Sequence, residues 1–342
     1  MRVAVVFVVA CLYGCGGGSP SAPSGPSAPA PSRFTVAGSV TDRIDGSRIG
    51  GSMITLRGLS GTGAGMVATA PVSGGSYSLG ELPGGDYEVT ISGSSHVEHR
   101  NLRHMVSGPE NNFSVLEWQS KRFGVTYDQQ YDRFFRAFAR NEGNPSTHRG
   151  VDKWDLKNNP PKELYISVTA PSQYDLNWDP VAANLFKDLL EEIVREQLSG
   201  MFCDRVLSLA VNSGPSVGIY KAGSSIIALR PDAEQVNDVH KTNGFIDGNV
   251  VSLYEPDYNN ADYYRDSGKR AVLKARAAHE LVHAFGAFHA LTFDQGQYRN
   301  SIMSRFYQGN GGILTPVDRL ALCLIGRDDT KPGNLSPDTN PN

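Results

Sequence analysis

The chain has 342 residues, too many for one small domain and consistent with two domains plus linkers. Its formal net charge of −3 and the lack of a long basic run give no electrostatic case for nucleic-acid binding. No apolar run reaches the roughly 18 residues that a membrane-spanning helix needs.

The N-terminus opens with Met1-Arg2 and a short apolar stretch, Val3 to Ala10, the pattern of an export signal. Leu12-Tyr13-Gly14-Cys15 follows and runs into Gly16-Gly17-Gly18-Ser19, which resembles a bacterial lipoprotein signal (residues 1–15). That resemblance implies acylation of Cys15, with Val8-Val9-Ala10-Cys11 as a competing match and a plain secretion signal as the alternative. Residues 16–32 are almost wholly Gly, Ser, Pro and Ala, which cannot bury a core and should form a semi-extended tether. Loss of Cys11 and acylation of Cys15 would leave Cys203 and Cys323 in a compartment that permits disulfides. These two could pair or remain buried thiols, and neither has C-x-x-C spacing.

From residue 33 to 118 the hydrophobic period is two. Phe34, Val36 and Val40, then Ile54 and Leu56, then Tyr87, Val89 and Ile91 alternate with small or polar residues. Asp45-Gly46, Gly74-Gly75 and Pro83-Gly84-Gly85 mark turns between them, so an all-β sandwich is expected. The run Gly74 to Val89, with its Leu-Pro-x-Gly turn and Tyr-x-Val strand, resembles carboxypeptidase regulatory-like domains. His96, His99 and His104 share the region, but their spacing fits no tight metal site; hydrogen-bonding roles are expected.

Residues 119–327 read as a second, α+β domain. A helix is expected over Gln119 to Gly143 with Tyr131, Phe134, Phe135 and Phe138 as its packing face. Leu164 to Thr169 reads as a strand. Asp179-Pro180 starts a helix on which Val181, Leu185, Leu189 and Ile193 recur every four residues, ending near Ser199-Gly200. Further strands are expected at Val206–Val211, Ser225–Leu229 and Asn249–Tyr254, and residues 328–342 should be disordered.

The most specific stretch is His279-Glu280-Leu281-Val282-His283-Ala284-Phe285-Gly286-Ala287-Phe288-His289, or H-E-x-x-H-x-x-G-x-x-H. Ala271 to Phe285 suits a helix, which places His279 and His283 one turn apart on one face. Glu280 is turned by about 100° from His279, close enough to reach a water at a metal without being a ligand. Gly286 can take a left-handed conformation that stops the helix, letting the chain turn back with His289 as third ligand. Three protein ligands leave the fourth position of a Zn²⁺ ion open, as in a catalytic site. Chance would produce the full pattern in about one chain in tens of thousands.

The motif resembles that of the metzincin zinc peptidases, which also carry a Met-containing turn below the metal. Ser301-Ile302-Met303-Ser304 matches that turn and implies a structural role for Met303. Thr315 as N-cap and Pro316 at the first helical position announce a closing helix. By the same resemblance Asn249–Tyr254 would be the edge strand lining the cleft, where an extended substrate adds by β-augmentation. The chain departs from the pattern at Arg305, where astacin- and serralysin-like members place a Tyr, with Tyr307 nearby. Ala290, directly after the third His, matches no familiar subfamily marker, so the resemblance is to the clan alone.

The expected architecture is therefore multidomain: an all-β sandwich followed by an α+β metzincin-like zinc peptidase domain. The implied activity is hydrolysis of protein or peptide substrates outside the cytoplasm, with one Zn²⁺ on His279, His283 and His289 and Glu280 as general base. A lipid anchor at Cys15 would hold the protein on the cell envelope; the alternative is secretion. Two other readings compete. One is a surface-anchored binding protein with a non-catalytic zinc domain; the other is hydrolysis of a non-peptide amide or ester. Glu280 argues against the first, because binding alone needs no general base.

Overall fold

The computed structural model of the chain describes residues 32–139, 163–169, 179–198, 210–215, 226–232, 250–254, 260–285, 287–290, 293, 295–304, 314–325 and 335. The expected export signal, residues 16–31 of the expected tether, Cys11, Cys15, Cys203, Gly286, Arg305 and Tyr307 lie outside those residues.

Seven strands build the N-terminal region: β1 (Arg33–Asp42), β2 (Ser52–Gly58), β3 (Val67–Val72), β4 (Ser76–Pro83), β5 (Gly85–Ser92), β6 (His99–Val106) and β7 (Phe113–Val115). They form two sheets, β4-β1-β7 and β3-β2-β5-β6, in a sandwich-like arrangement. The second sheet is antiparallel throughout, whereas β7 joins β1 in parallel. The inward residues are those that alternation picked out: Val36, Val40, Ile54, Leu56, Val89 and Ile91 are all fully buried in one cluster. Pro83-Gly84-Gly85 does not make a hairpin. It carries the chain from one sheet to the other, and a side chain at Gly84 would press on the Phe34 ring, 3.1 Å from the position of a Cβ. Gly85 follows at φ 150°, a conformation that L side chains rarely adopt.

Residues 119–128 differ from the helix expected there. Lys121–Arg122 (β8) and Val125–Thr126 (β9) form a short antiparallel hairpin, and helix α1 spans only Gln129–Ala139. The turn has Phe123 at φ 54° and Gly124 at φ 79°, the pair of positive φ angles that closes a tight hairpin. A bulky residue in that conformation is uncommon, which is why the sequence did not advertise the turn. The packing face of α1 is as expected, with Tyr131, Phe134, Phe135 and Phe138 buried.

The second region contains β10 (Glu163–Thr169), α2 (Pro180–Ile193), β11 (Ala210–Pro215), β12 (Ile226–Asp232), β13 (Val250–Tyr254), α3 (Ala261–Arg265), α4 (Ser267–Ala284) and α5 (Pro316–Leu324). Its sheet has the order β11-β10-β12-β13 and is parallel throughout. Helix α4 packs against β13 and α2. The Asp179 side chain caps α2 by accepting from the Val181 and Ala182 amides. The buried face of α2 is Ala182, Phe186, Leu189, Leu190 and Ile193, while Val181 is exposed. A strict every-fourth-residue row advances about 400° per step, so it winds off the core by about 40° each time. The true stripe mixes steps of three and four. Glu192 binds Arg270 and Lys274 at 2.6 and 2.5 Å, fastening α2 to α4.

The two regions share apolar contacts. Ile44, Val97 and Leu116 belong to the same buried cluster as Tyr127, Tyr131 and Phe134. The Asp42 carboxylate secures this junction, accepting from the Glu117 amide at 3.0 Å and the Ser120 hydroxyl at 2.6 Å. Leu335 corrects the expectation of disorder at its position: it is buried in that cluster and its backbone bridges to His99. An apolar side chain gains more from this contact than from water. Cys323 is buried and disulfide-bonded, its partner outside the described residues, which removes the free-thiol alternative for that cysteine. No helix of the described residues is long and apolar enough to cross a membrane.

Candidate metal centre

Helix α4 starts where Asp266 caps it through the Lys269 amide, and it continues through the first two motif histidines to Ala284. The run carries good helix formers such as Ala, Leu, Lys and Arg, which keeps His279 and His283 in register. Beyond the helix, Phe288 donates its amide to the Phe138 carbonyl at 2.8 Å, and Ala290 donates to the Met303 carbonyl at 3.0 Å. These two bonds bracket His289 and bring it back beside α4.

The three imidazoles converge, with ligand atoms within 4.8 Å of one another. His279 Nδ1 lies 2.5 Å from the Ile302 carbonyl, and His283 Nδ1 lies 2.8 Å from the Ala287 carbonyl. A carbonyl can only accept, so both rings carry their proton on Nδ1 and present a bare Nε2. Those nitrogens lie 3.0 Å (His279) and 3.1 Å (His283) from Nε2 of His289. Bonds of 2.0–2.1 Å from a tetrahedral zinc ion place neighbouring nitrogens about 3.3 Å apart. The donor set, the fixed tautomers and the spacing thus fit Zn²⁺. This is the sole such cluster among the described residues.

Glu280 sits between the first two histidines in sequence and is half-buried. Desolvation pushes its carboxyl up to about 8. A nearby divalent cation acts in the opposite direction by favouring the charged form.

The turn Ser301-Ile302-Met303-Ser304 is buried at all four positions. Its backbone touches two motif histidines or their neighbours: the Ile302 carbonyl takes the His279 proton, and the Met303 carbonyl holds Ala290. The Met303 side chain is fully buried. Met303→Leu conserves volume, so it should cost less than about 1.5 kcal/mol and leave metal content unchanged by atomic absorption. Loss of metal in that variant would assign the sulfur a larger part.

Asp318 is a residue that reading the sequence passed over. It occupies the third position of α5 in a capping box with Thr315, and it also reaches the turn. The Thr-x-x-Asp spacing was visible and signals the cap. Nothing in the sequence signals the second contact. Burial raises the Asp318 carboxyl, while bonds from Ser301, Thr315 and the Ile302 amide act to lower it.

The sandwich histidines bring no metal site together. His96 bonds Ser52 and the Val97 carbonyl, His104 bonds Asn111, and His99 accepts from the Leu116 amide.

No family model matches the chain, and no curated protein matches it. Among solved structures, a DUF3823 family protein from Parabacteroides merdae is 18% identical, covering 25% of this chain and 47% of its own, with a TM-score of 0.21. The major pilin subunit of Bacillus cereus is 12% identical over 25% of this chain and 29% of its own, TM-score 0.19. A type II cohesin–X-dockerin complex from Acetivibrio cellulolyticus is 14% identical over 32% of this chain and 78% of that one, TM-score 0.19. The chain thus spans less than half the length of the first two, and at these TM-scores the likenesses carry no argument about fold or function.

Proposed function

We propose that this chain is a zinc-dependent endopeptidase of the metzincin type, its α+β catalytic domain spanning residues 119–327, acting outside the cytoplasm from a lipid anchor at Cys15. The observation that carries the reading is the meeting of three imidazole nitrogens beside the helix that bears Glu280, with two of the rings held by backbone carbonyls in the tautomer that leaves Nε2 unprotonated. A zinc ion held there supplies Lewis acidity, lowering the pKa of water and polarising a scissile carbonyl. Glu280 accepts the proton of the attacking water and passes it to the departing amine nitrogen. Burial raises its proton affinity and a cation beside it favours the charged form, so the carboxylate can take a proton from water and release it again. The backbone at Ile302 and Ala287 orients the rings. Strand β13 ends the sheet among the described residues, so an extended peptide has an edge to join.

The purified chain should contain one zinc per molecule and cleave casein. A strong chelator should abolish cleavage, and added Zn²⁺ should restore it. Folded protein that takes up no zinc would overturn the metal centre. Protein that holds zinc yet cleaves neither casein nor a peptide library would favour the binding-protein reading instead.

A further inference from the structure

We propose that Asp318 is a positioning residue for the metal centre, acting on His279 through the turn at 301–304. The inference rests on the zinc reading above.

Asp318 is fully buried and accepts four hydrogen bonds. Two come from its own helix start, the Thr315 amide at 2.9 Å and the Thr315 hydroxyl at 2.6 Å. The other two come from the turn: the Ser301 hydroxyl at 2.5 Å and the Ile302 amide at 3.0 Å. Capping α5 requires only the first pair, so the second pair has no part in starting the helix. The Ser301 oxygen also accepts the Met303 amide at 3.1 Å, which extends the grip across the turn.

Ile302 is the link. Its amide is held by Asp318 and its carbonyl receives the Nδ1 proton of His279, so one residue joins the carboxylate to the ligand. That carbonyl sets the tautomer and the plane of the ring, both of which a metal ligand needs fixed. The same turn anchors Ala290, the neighbour of His289, through the Met303 carbonyl. Two of the three ligands therefore take their position from a turn whose shape a single buried carboxylate sets. A carboxylate suits the task because it is all acceptor; an amide would aim an NH₂ group at some of the four donors.

The test is zinc affinity of the whole chain, measured by competition with a chromogenic chelator, together with the visible spectrum of the cobalt(II) form. Asp318→Asn should weaken zinc binding by about 10-fold, the low end of the range for direct partners of metal ligands, because it acts one bond further out, and should alter the cobalt spectrum. Ser301→Ala, which spares the helix cap, should weaken binding in the same direction and carries the test if Asp318→Asn does not fold. Thr315→Val removes only the cap-side hydroxyl, which donates to the Asp318 carboxylate and accepts from the Asp318 amide. It should lower the melting temperature of the metal-free protein while leaving affinity within about twofold, since it spares the partners of the ligands. Wild-type affinity in both turn-side variants would overturn the inference and leave the metal centre standing. Equal weakening by Thr315→Val would overturn it too, since general destabilisation would then be the cause. A wild-type chain that binds neither metal would overturn the metal centre itself, and the inference with it.

Discussion

Replacing Glu280 with Ala is expected to leave zinc at one per chain and to lower the kcat/KM for casein or a peptide by about 10²–10⁴-fold, the usual contribution of a general acid–base group. The two effects separate because the ring positions do not depend on this carboxylate. His279 leans on Ile302 and His283 on Ala287, so both ligand tautomers survive the substitution. What is lost is the desolvated carboxyl that takes a proton from water and gives it back. Zinc analysis beside initial rates reads both quantities. Loss of zinc along with activity would mean that Glu280 supports the ligands; unchanged activity would remove it from the mechanism.

The second large effect is expected far from the metal. Leu116→Asp places a charge in the apolar cluster that joins the sandwich to α1. An uncompensated buried charge costs about 3–5 kcal/mol, a large part of the roughly 5–15 kcal/mol that holds an average domain folded. Because Ile44, Val97 and Leu116 share that cluster with Tyr131 and Phe134, the damage should reach both regions. Calorimetry should show one transition in the wild type, and in the variant a single transition at much lower temperature with zinc binding lost alongside. Two separate transitions, the zinc-linked one unmoved, would show that the two regions are independent.

How much of this was readable in the sequence depended on whether the signal was local. The ligand helix was legible because His279 and His283 need only helical spacing to meet, and α5 because Thr315-Pro316 is a complete start signal. The alternating strands were legible because a half-buried sheet face imposes a period of two. What escaped was set by tertiary partners. The hairpin at Phe123 uses a residue type that turns seldom hold at positive φ. The stripe on α2 includes Ala182, whose burial depends on what packs above it. Asp318 reads as a cap, and only the folded chain shows its other contact. Leu335 sits in a polar, Pro-containing stretch, and its burial is decided by a strand more than two hundred residues earlier.

The bridge between Leu335 and His99 also sets an order of events as the chain is made. Synthesis runs from the N-terminus, so β1 to β7 can pair while α4 is still unmade. The residues proposed as ligands emerge next, then the carbonyl that orients His279, then Asp318, and only afterwards Leu335, which settles against the sandwich. Each later piece tightens one already present. A nascent chain released just past Ser304 would carry all three histidines and the turn without the helix that grips it. Such a fragment should hold metal poorly, which would keep the proposed hydrolytic activity from arising ahead of the finished fold.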